Sequence, residues 1–173
     1  MSAIDKTPTN KNFLSPINFT FVLKRSPLLN FFVQKINIPS ITLGSFNQPS
    51  PLLNIPYAGD HLDYNELQVE FKVDEDFTNY LEIHNWIKGL AYPENPDQYK
   101  TLSSKPKATG EWIKSDISVI IADGLKNPNF EIIFTDAFPI SLSGLDFDTR
   151  NSDVDYITSA VTFKYTYYNI IKL

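Results

Sequence analysis

The sequence predicts a mainly β domain: an antiparallel β-barrel or sandwich with one flanking α-helix over about residues 75–90 and long loops. Three observations lead there. Apolar and polar residues alternate in several short runs, most clearly from Glu66 to Val73. One stretch alone, Phe77 to Leu90, changes to three- and four-residue spacing. Twelve Pro and only six Gly punctuate the apolar runs, and no period repeats, which excludes solenoids and propellers.

In chain order, residues 1–15 read as a polar N-terminal arm without a signal-peptide core, anchored at Phe13-Leu14. Ile17, Phe19, Phe21 and Leu23 alternate with polar neighbours as a first strand, which Arg25-Ser26-Pro27 breaks. Phe31 to Ile38 reads as a second strand, closed by Pro39, because Pro has no amide to donate to a ladder. Residues 47–57 carry three prolines and read as a long loop. Its apolar Pro51, Leu52, Leu53, Ile55 and Tyr57 either fold back onto the core or wait for a partner.

In the clearest strand, Leu67, Val69, Phe71 and Val73 face one way and Glu66, Gln68, Glu70 and Lys72 the other. The helix follows. Asp74 or Asp76 is placed to accept its first free amides, and Gly89 to follow its end. Phe77, Tyr80, Leu81 and Ile87 lie on the stripe expected to pack on the sheet, with Trp86 nearby. Residues 91–115 read as another long loop. Ile117–Ala122 and Phe130–Asp136 form a hairpin, and a last strand carries Ile157, Val161, Phe163, Tyr165 and Tyr167 on one face. Six or seven strands result. At 19.8 kDa the chain would keep roughly 8,600 Å² exposed and bury about 70% of its unfolded surface. That is one core, and residues 1–173 form a single domain.

The residue inventory speaks against catalysis. There is no Cys, so no disulfide, thiolate zinc site or thiol nucleophile is expected. His61 and His84 are the two histidines, the first in a polar stretch without an obvious partner, the second at the edge of the helix stripe. No phosphate loop or nucleophile elbow occurs. Asp146, Asp148, Asn151, Asp153 and Asp155 resemble a carboxylate loop, but Arg150, Asn151 and Ile157 stand where a calcium loop needs an Asx, a Gly and a Glu. No cofactor and no metal are expected, and no apolar run is long enough to span a membrane. The net charge of −5 disfavours specific nucleic-acid binding. Eight of the twenty acids fall between Asp60 and Glu82, with Glu66 and Glu70 on one outward strand face.

Two stretches resemble a known family. Tyr57-Ala58-Gly59-Asp60, Asp63-Tyr64-Asn65-Glu66, the alternating strand and the helix through Asn85-Trp86-Ile87 are similar to the middle of tail tube proteins of T4-like contractile-tailed bacteriophages. There an Ala-Gly-Asp turn precedes such a strand. Ala137-Phe138-Pro139-Ile140-Ser141-Leu142-Ser143, then Leu145-Asp146-Phe147 and Val161-Thr162-Phe163-Lys164-Tyr165, resemble its C-terminal signature: a bend, a short strand and a closing strand. The resemblance covers about 60 of 173 residues.

It implies a fold shared with baseplate tube-initiator proteins and the type VI secretion tube protein, and a structural, non-enzymatic virion protein made in the host cytoplasm. It also implies hexameric rings stacked into an inner tail tube, a conduit for phage DNA. The partners implied are other copies of the chain, the tail sheath protein, the baseplate initiator and the terminator. The tape-measure protein and DNA would pass without specific binding, and no membrane is involved. Glu66 and Glu70 become candidates to face the bore, and Pro51, Leu52, Leu53, Ile55 and Tyr57 candidates for an inter-subunit loop. The alternatives are a tube-like initiator or terminator ring and, from another class, a ligand-binding β-sandwich with Trp86 and Trp112 in a groove. The chain's length favours the tube subunit over an initiator, which usually carries an additional domain.

Overall fold

A computed structural model describes residues 12–91, 95–106, 112–150 and 156–173. Among them are nine strands and three helices. In chain order these are β1 (Phe19–Leu23), α1 (Pro27–Phe32), β2 (Val33–Asn37), β3 (Ile41–Pro49), β4 (Asn54–Tyr64), β5 (Leu67–Lys72), α2 (Thr78–Ala91), α3 (Pro96–Ser103), β6 (Ser115–Ala122), β7 (Pro128–Leu142), β8 (Thr158–Lys164) and β9 (Tyr167–Lys172).

All pairings are antiparallel, and β7 belongs to two sheets. Its first half pairs with β6 and β9, and β1 continues that sheet beyond β6. Its second half pairs with β8, followed by β5 and β2. The change of sheet falls at Asp136, whose φ of 56° places it in the left-handed region that Asp tolerates better than most residues. The register of β6 against β7 shifts there, and the Asp136 amide donates to Asp116 Oδ1 at 3.0 Å. The result is sandwich-like rather than a closed barrel. Inward residues of both sheets (Phe21, Leu23, Ile117, Val119, Ile132, Phe134, Leu67, Val69, Phe71, Val161, Phe163) form one buried cluster.

Helix α2 covers this core with its apolar face. Asp74 holds its start, accepting from the Thr78 hydroxyl and, at 3.4 Å, from the Asn79 amide. Ile83 and Trp86 are its buried apolar side chains; the Trp86 indole lies 6.2 Å from the Phe163 ring and donates to Ile113 O at 3.0 Å. Tyr80 and Ile87 pack at the margin, and the Tyr80 hydroxyl donates to Ser143 O at 3.2 Å.

Several expectations need correction. Leu81 does not pack on the sheet: one position from Tyr80, it is 43% exposed on the outer flank. Gly89 does not end α2. It lies within the helix, where a Cβ would stand 3.4 Å from Leu102 Cδ1, and so admits α3 close to the axis. His84 is exposed rather than packed. Phe31 and Phe32 belong to α1, started by Pro27 and anchored by buried Leu29, so the second strand begins only at Val33. Within 91–115 the chain forms α3, which Asn95 caps by accepting the Asp97 amide at 3.1 Å. The predicted last strand is two, β8 and β9, with a break at Tyr165-Thr166 that redirects the chain from one sheet to the other. Ala137–Leu142 is strand rather than bend, and Leu145-Asp146-Phe147 is irregular. Most of the N-terminal arm, residues 92–94 and 107–111, and Asn151 to Asp155 of the acidic loop lie outside the described residues.

Candidate assembly surface

The stretch read as a loop over 47–57 is instead the outer half of a long hairpin. Among the described residues β3 and β4 pair only with each other, from Ile41 opposite Tyr64 to Pro49 opposite Asn54. The turn is closed by the Ser50 amide donating to Leu53 O at 3.1 Å. Prolines do not prevent this, because in a two-stranded ribbon each strand has an open side where a missing N–H removes no ladder bond. Pro49 and Pro56 both sit in register. The Ala-Gly-Asp stretch is also strand and not turn. Gly59 faces Gly44 across a bulge, and a Cβ on Gly59 would lie 2.7 Å from Gly44 O.

The hairpin base is fastened to the body by aromatic residues. The Tyr64 ring meets those of Tyr165 and Tyr168 at 5.9 and 5.5 Å, and Phe134 completes the group beneath them. Tyr165 donates its hydroxyl to Asn65 O at 2.8 Å, and Tyr168 donates to Pro39 O at 3.3 Å. The two carbonyls flank the hairpin, so both of its chain ends are held. Burial, with Tyr168 and Tyr64 beside it, pushes the Tyr165 hydroxyl up to about 12.

Beyond that base the ribbon is uncovered. Leu52 is 93% exposed, Leu53 62% and Phe46 59%, and Pro51, Ile55 and Tyr57 are exposed as well. No charged residue occurs between Lys35 and Asp60, a signal visible in the sequence but absorbed into a loop assignment. An exposed stretch of ribbon without charge, as over 41–59, is unlike a solvated surface and like the core of a protein interface.

Glu66 and Glu70 are exposed on the outward side of β5, as the alternation requires. Their setting is not purely acidic. Glu70 pairs with Lys35 Nζ of β2 at 2.7 Å, and Glu66 lies 3.6 Å from Lys164 Nζ of β8. The antiparallel register, which sets Lys35 beside Glu70, creates a mixed-charge face that the sequence order conceals. His61, expected to lack a partner, lies 3.1 Å from Asp63 Oδ1. Of the two tryptophans expected in a ligand groove, Trp86 is buried in the core and Trp112 is half-buried. Among the described residues no group of three or more His, Asp or Glu is arranged to hold a metal ion, and no helix is long and apolar enough to cross a membrane.

The described residues thus form a two-sheet body that carries an exposed ribbon whose outer part has no charged residue. The phage tail tube protein family matches residues 21–171, and the chain belongs to that family. Solved structures of similar fold come from contractile injection systems. One is the tube-terminating cap of the anti-feeding prophage, with a TM-score of 0.61, 11% identity and 100% of both chains covered. Another is the sheath–tube complex of the extracellular contractile injection system PVC in its extended state (TM-score 0.60, 11% identity, 100% of this chain and 99% of that one). A third is the anti-feeding prophage baseplate, 6-fold symmetrised (TM-score 0.58, 14% identity, 88% and 90% covered). No match is found among curated protein sequences.

Proposed function

We propose that this chain is the subunit of an inner tail tube, closing into hexameric rings that stack into a conduit for phage DNA. The observation that carries the reading is the outer part of the hairpin β3–β4: within residues 41–59 it has no charged residue, and Phe46, Leu52, Leu53, Ile55 and Tyr57 are exposed in the single chain. Pro51, Leu52, Leu53, Ile55 and Tyr57 at its outer half are the residues assigned to the neighbouring copy. Burying an aliphatic side chain such as Leu52 or Ile55 there contributes about 1.5–3 kcal/mol each. Contacts between unlike surfaces close into a ring by rotation, while axial stacking leaves both ends open to growth.

The polar outward face of β5 is assigned to the bore. Glu66 and Glu70 hold Lys164 and Lys35 in ion pairs, which keeps those ammonium groups from a passing phosphate backbone. The tape-measure protein would pass along the same face before DNA. The sheath, the baseplate initiator and the terminator are the partners this role entails, and the assembled virion tail is its location. Catalysis has no part in it.

Sedimentation and negative-stain imaging of the purified protein test the reading. Stacked rings of variable length are expected. Single rings that never stack would assign the chain to an initiator or terminator, and a persistent monomer, with or without a baseplate seed, would remove the reading altogether.

A further inference from the structure

Asp123-Gly124, in the turn between β6 and β7, is the one place in the sequence where Asp or Asn precedes Gly. In an unstructured chain that dipeptide is chemically labile. The Gly amide nitrogen attacks the carboxyl carbon of the Asp side chain, the amide proton and the carboxyl hydroxyl leave as water, and a cyclic imide forms. Water then opens the ring at either carbonyl. One opening restores Asp; the other gives an isoaspartyl link, in which the main chain runs through the side-chain carbons. Glycine favours the attack because no Cβ hinders its nitrogen. Two conditions must be met. The carboxyl group must be neutral, since a carboxylate has no good leaving oxygen, and its carbon must turn onto the following nitrogen.

The fold opposes both. Asp123 Oδ1 accepts the Leu125 amide at 2.8 Å and the Asn127 amide at 2.9 Å, an Asx turn that aims the carboxylate past Gly124. The Asn127 side-chain amide reaches Oδ2 at 3.5 Å. Led by the Asn127 amide, these donors hold the carboxyl below the usual carboxylate range. The Asp123 backbone is held as well: its amide donates to Asn127 O at 2.9 Å, and its carbonyl accepts from the Lys126 amide at 3.0 Å and from Asn18 Nδ2 at 2.8 Å. Gly124 itself is not demanded by the fold. Its backbone is outside the left-handed region, and a Cβ there would meet nothing within 4 Å. We propose that Asp123 is a latent isoaspartate site of this chain, kept closed in the folded state by the amides of Leu125 and Asn127. Conversion would lengthen the main chain beside Ala122, whose amide donates to Asn18 O at 2.9 Å, and so loosen the end of β1 from β6. The inference is independent of the tube reading.

The test ages the full chain in mildly acidic buffer, folded and in urea. Isoaspartate is counted by enzymatic methylation and located by peptide mass spectrometry, since a protease that cuts before Asp does not cut before isoaspartate. In urea the modification is expected at Asp123 ahead of every other position, and in the folded chain it accumulates there several-fold more slowly. Asp123→Asn separates position from charge: its side chain is neutral and reacts by the same ring closure, with loss of ammonia, yet can still accept both amides. It is expected to react rapidly in urea and several-fold more slowly when folded. Gly124→Ala should keep the urea midpoint of the unaltered chain and lose most of the modification in urea. Equal rates at Asp123 in the folded and unfolded chain overturn the proposal. So does rapid reaction of folded Asp123→Asn, or isoaspartate in urea that survives Gly124→Ala undiminished.

Discussion

Gly59 and Gly89 are alike in sequence and opposite in consequence. A Cβ on Gly59 would meet Gly44 backbone atoms at 2.7 and 2.9 Å, which no side-chain movement relieves. Gly59→Ala is therefore expected to open the hairpin and stop assembly while leaving the body's urea midpoint unchanged, since the core lies elsewhere. At Gly89 the nearest atom is the flexible end of Leu102 at an ordinary contact distance. Gly89→Ala should stabilise α2 by up to about 1 kcal/mol in urea denaturation. Trp86→Ala is the contrasting case: a large side chain that is 1% exposed, with a hydrogen bond to Ile113 O and the Arg25 guanidinium 4.6 Å from its ring centre, so a loss of about 3–5 kcal/mol is expected in the same assay. At the outward face of β5, Glu66→Gln with Glu70→Gln frees Lys164 and Lys35. Assemblies of that double variant should retain DNA in electrophoresis at low salt and release it as salt rises, whereas the unaltered assemblies let it pass.

Elements whose character is local were legible in the sequence, and those defined by distant partners were not. The alternation in β5 and the three-to-four spacing of α2 need no information beyond their own residues, and both elements stand where expected. The hairpin was hidden because prolines at 49, 51 and 56 are read as breakers, a reading that fails in a ribbon whose strands each have an open side. The lysine partners of Glu66 and Glu70 come from β8 and β2, far away in the chain, so the sequence shows only the acids. The absence of charge from 36 to 59 was the one local sign of the candidate surface. The tyrosines that fasten the hairpin were equally hidden: Tyr165 and Tyr168 lie 100 and 129 residues from the carbonyls they meet. Their role gives a prediction in pH. The Tyr165 hydroxyl is raised by burial to about 12 in the fold, so its contribution is intact below the unfolded value near 10 and is lost as pH rises through 12. Amide exchange in β3 and β4 should accelerate over that interval beyond the intrinsic rise with pH, and Tyr165→Phe with Tyr168→Phe should show comparable acceleration already at neutral pH.

At the scale of the whole molecule, a body with one continuous core carries a ribbon that has no core of its own. A two-stranded hairpin is marginal by itself in water, so its order depends on the fastened base and on what covers its two faces. Two sheets share β7 in the body, and an extended ribbon of eleven-residue β4 reaches roughly 35 Å, enough to leave the subunit and lie on others. Membership of the phage tail tube family and the mixed-charge outer face of β5 accord with a conduit built from many copies. The most direct measurement is cryo-electron microscopy of the assembled protein viewed end-on and from the side. The account predicts six subunits around an open bore, rings stacked without a fixed number, and each hairpin enclosed by neighbouring copies. A bore lined by the helices α2 and α3, or rings whose hairpins project uncovered into solvent, would contradict it.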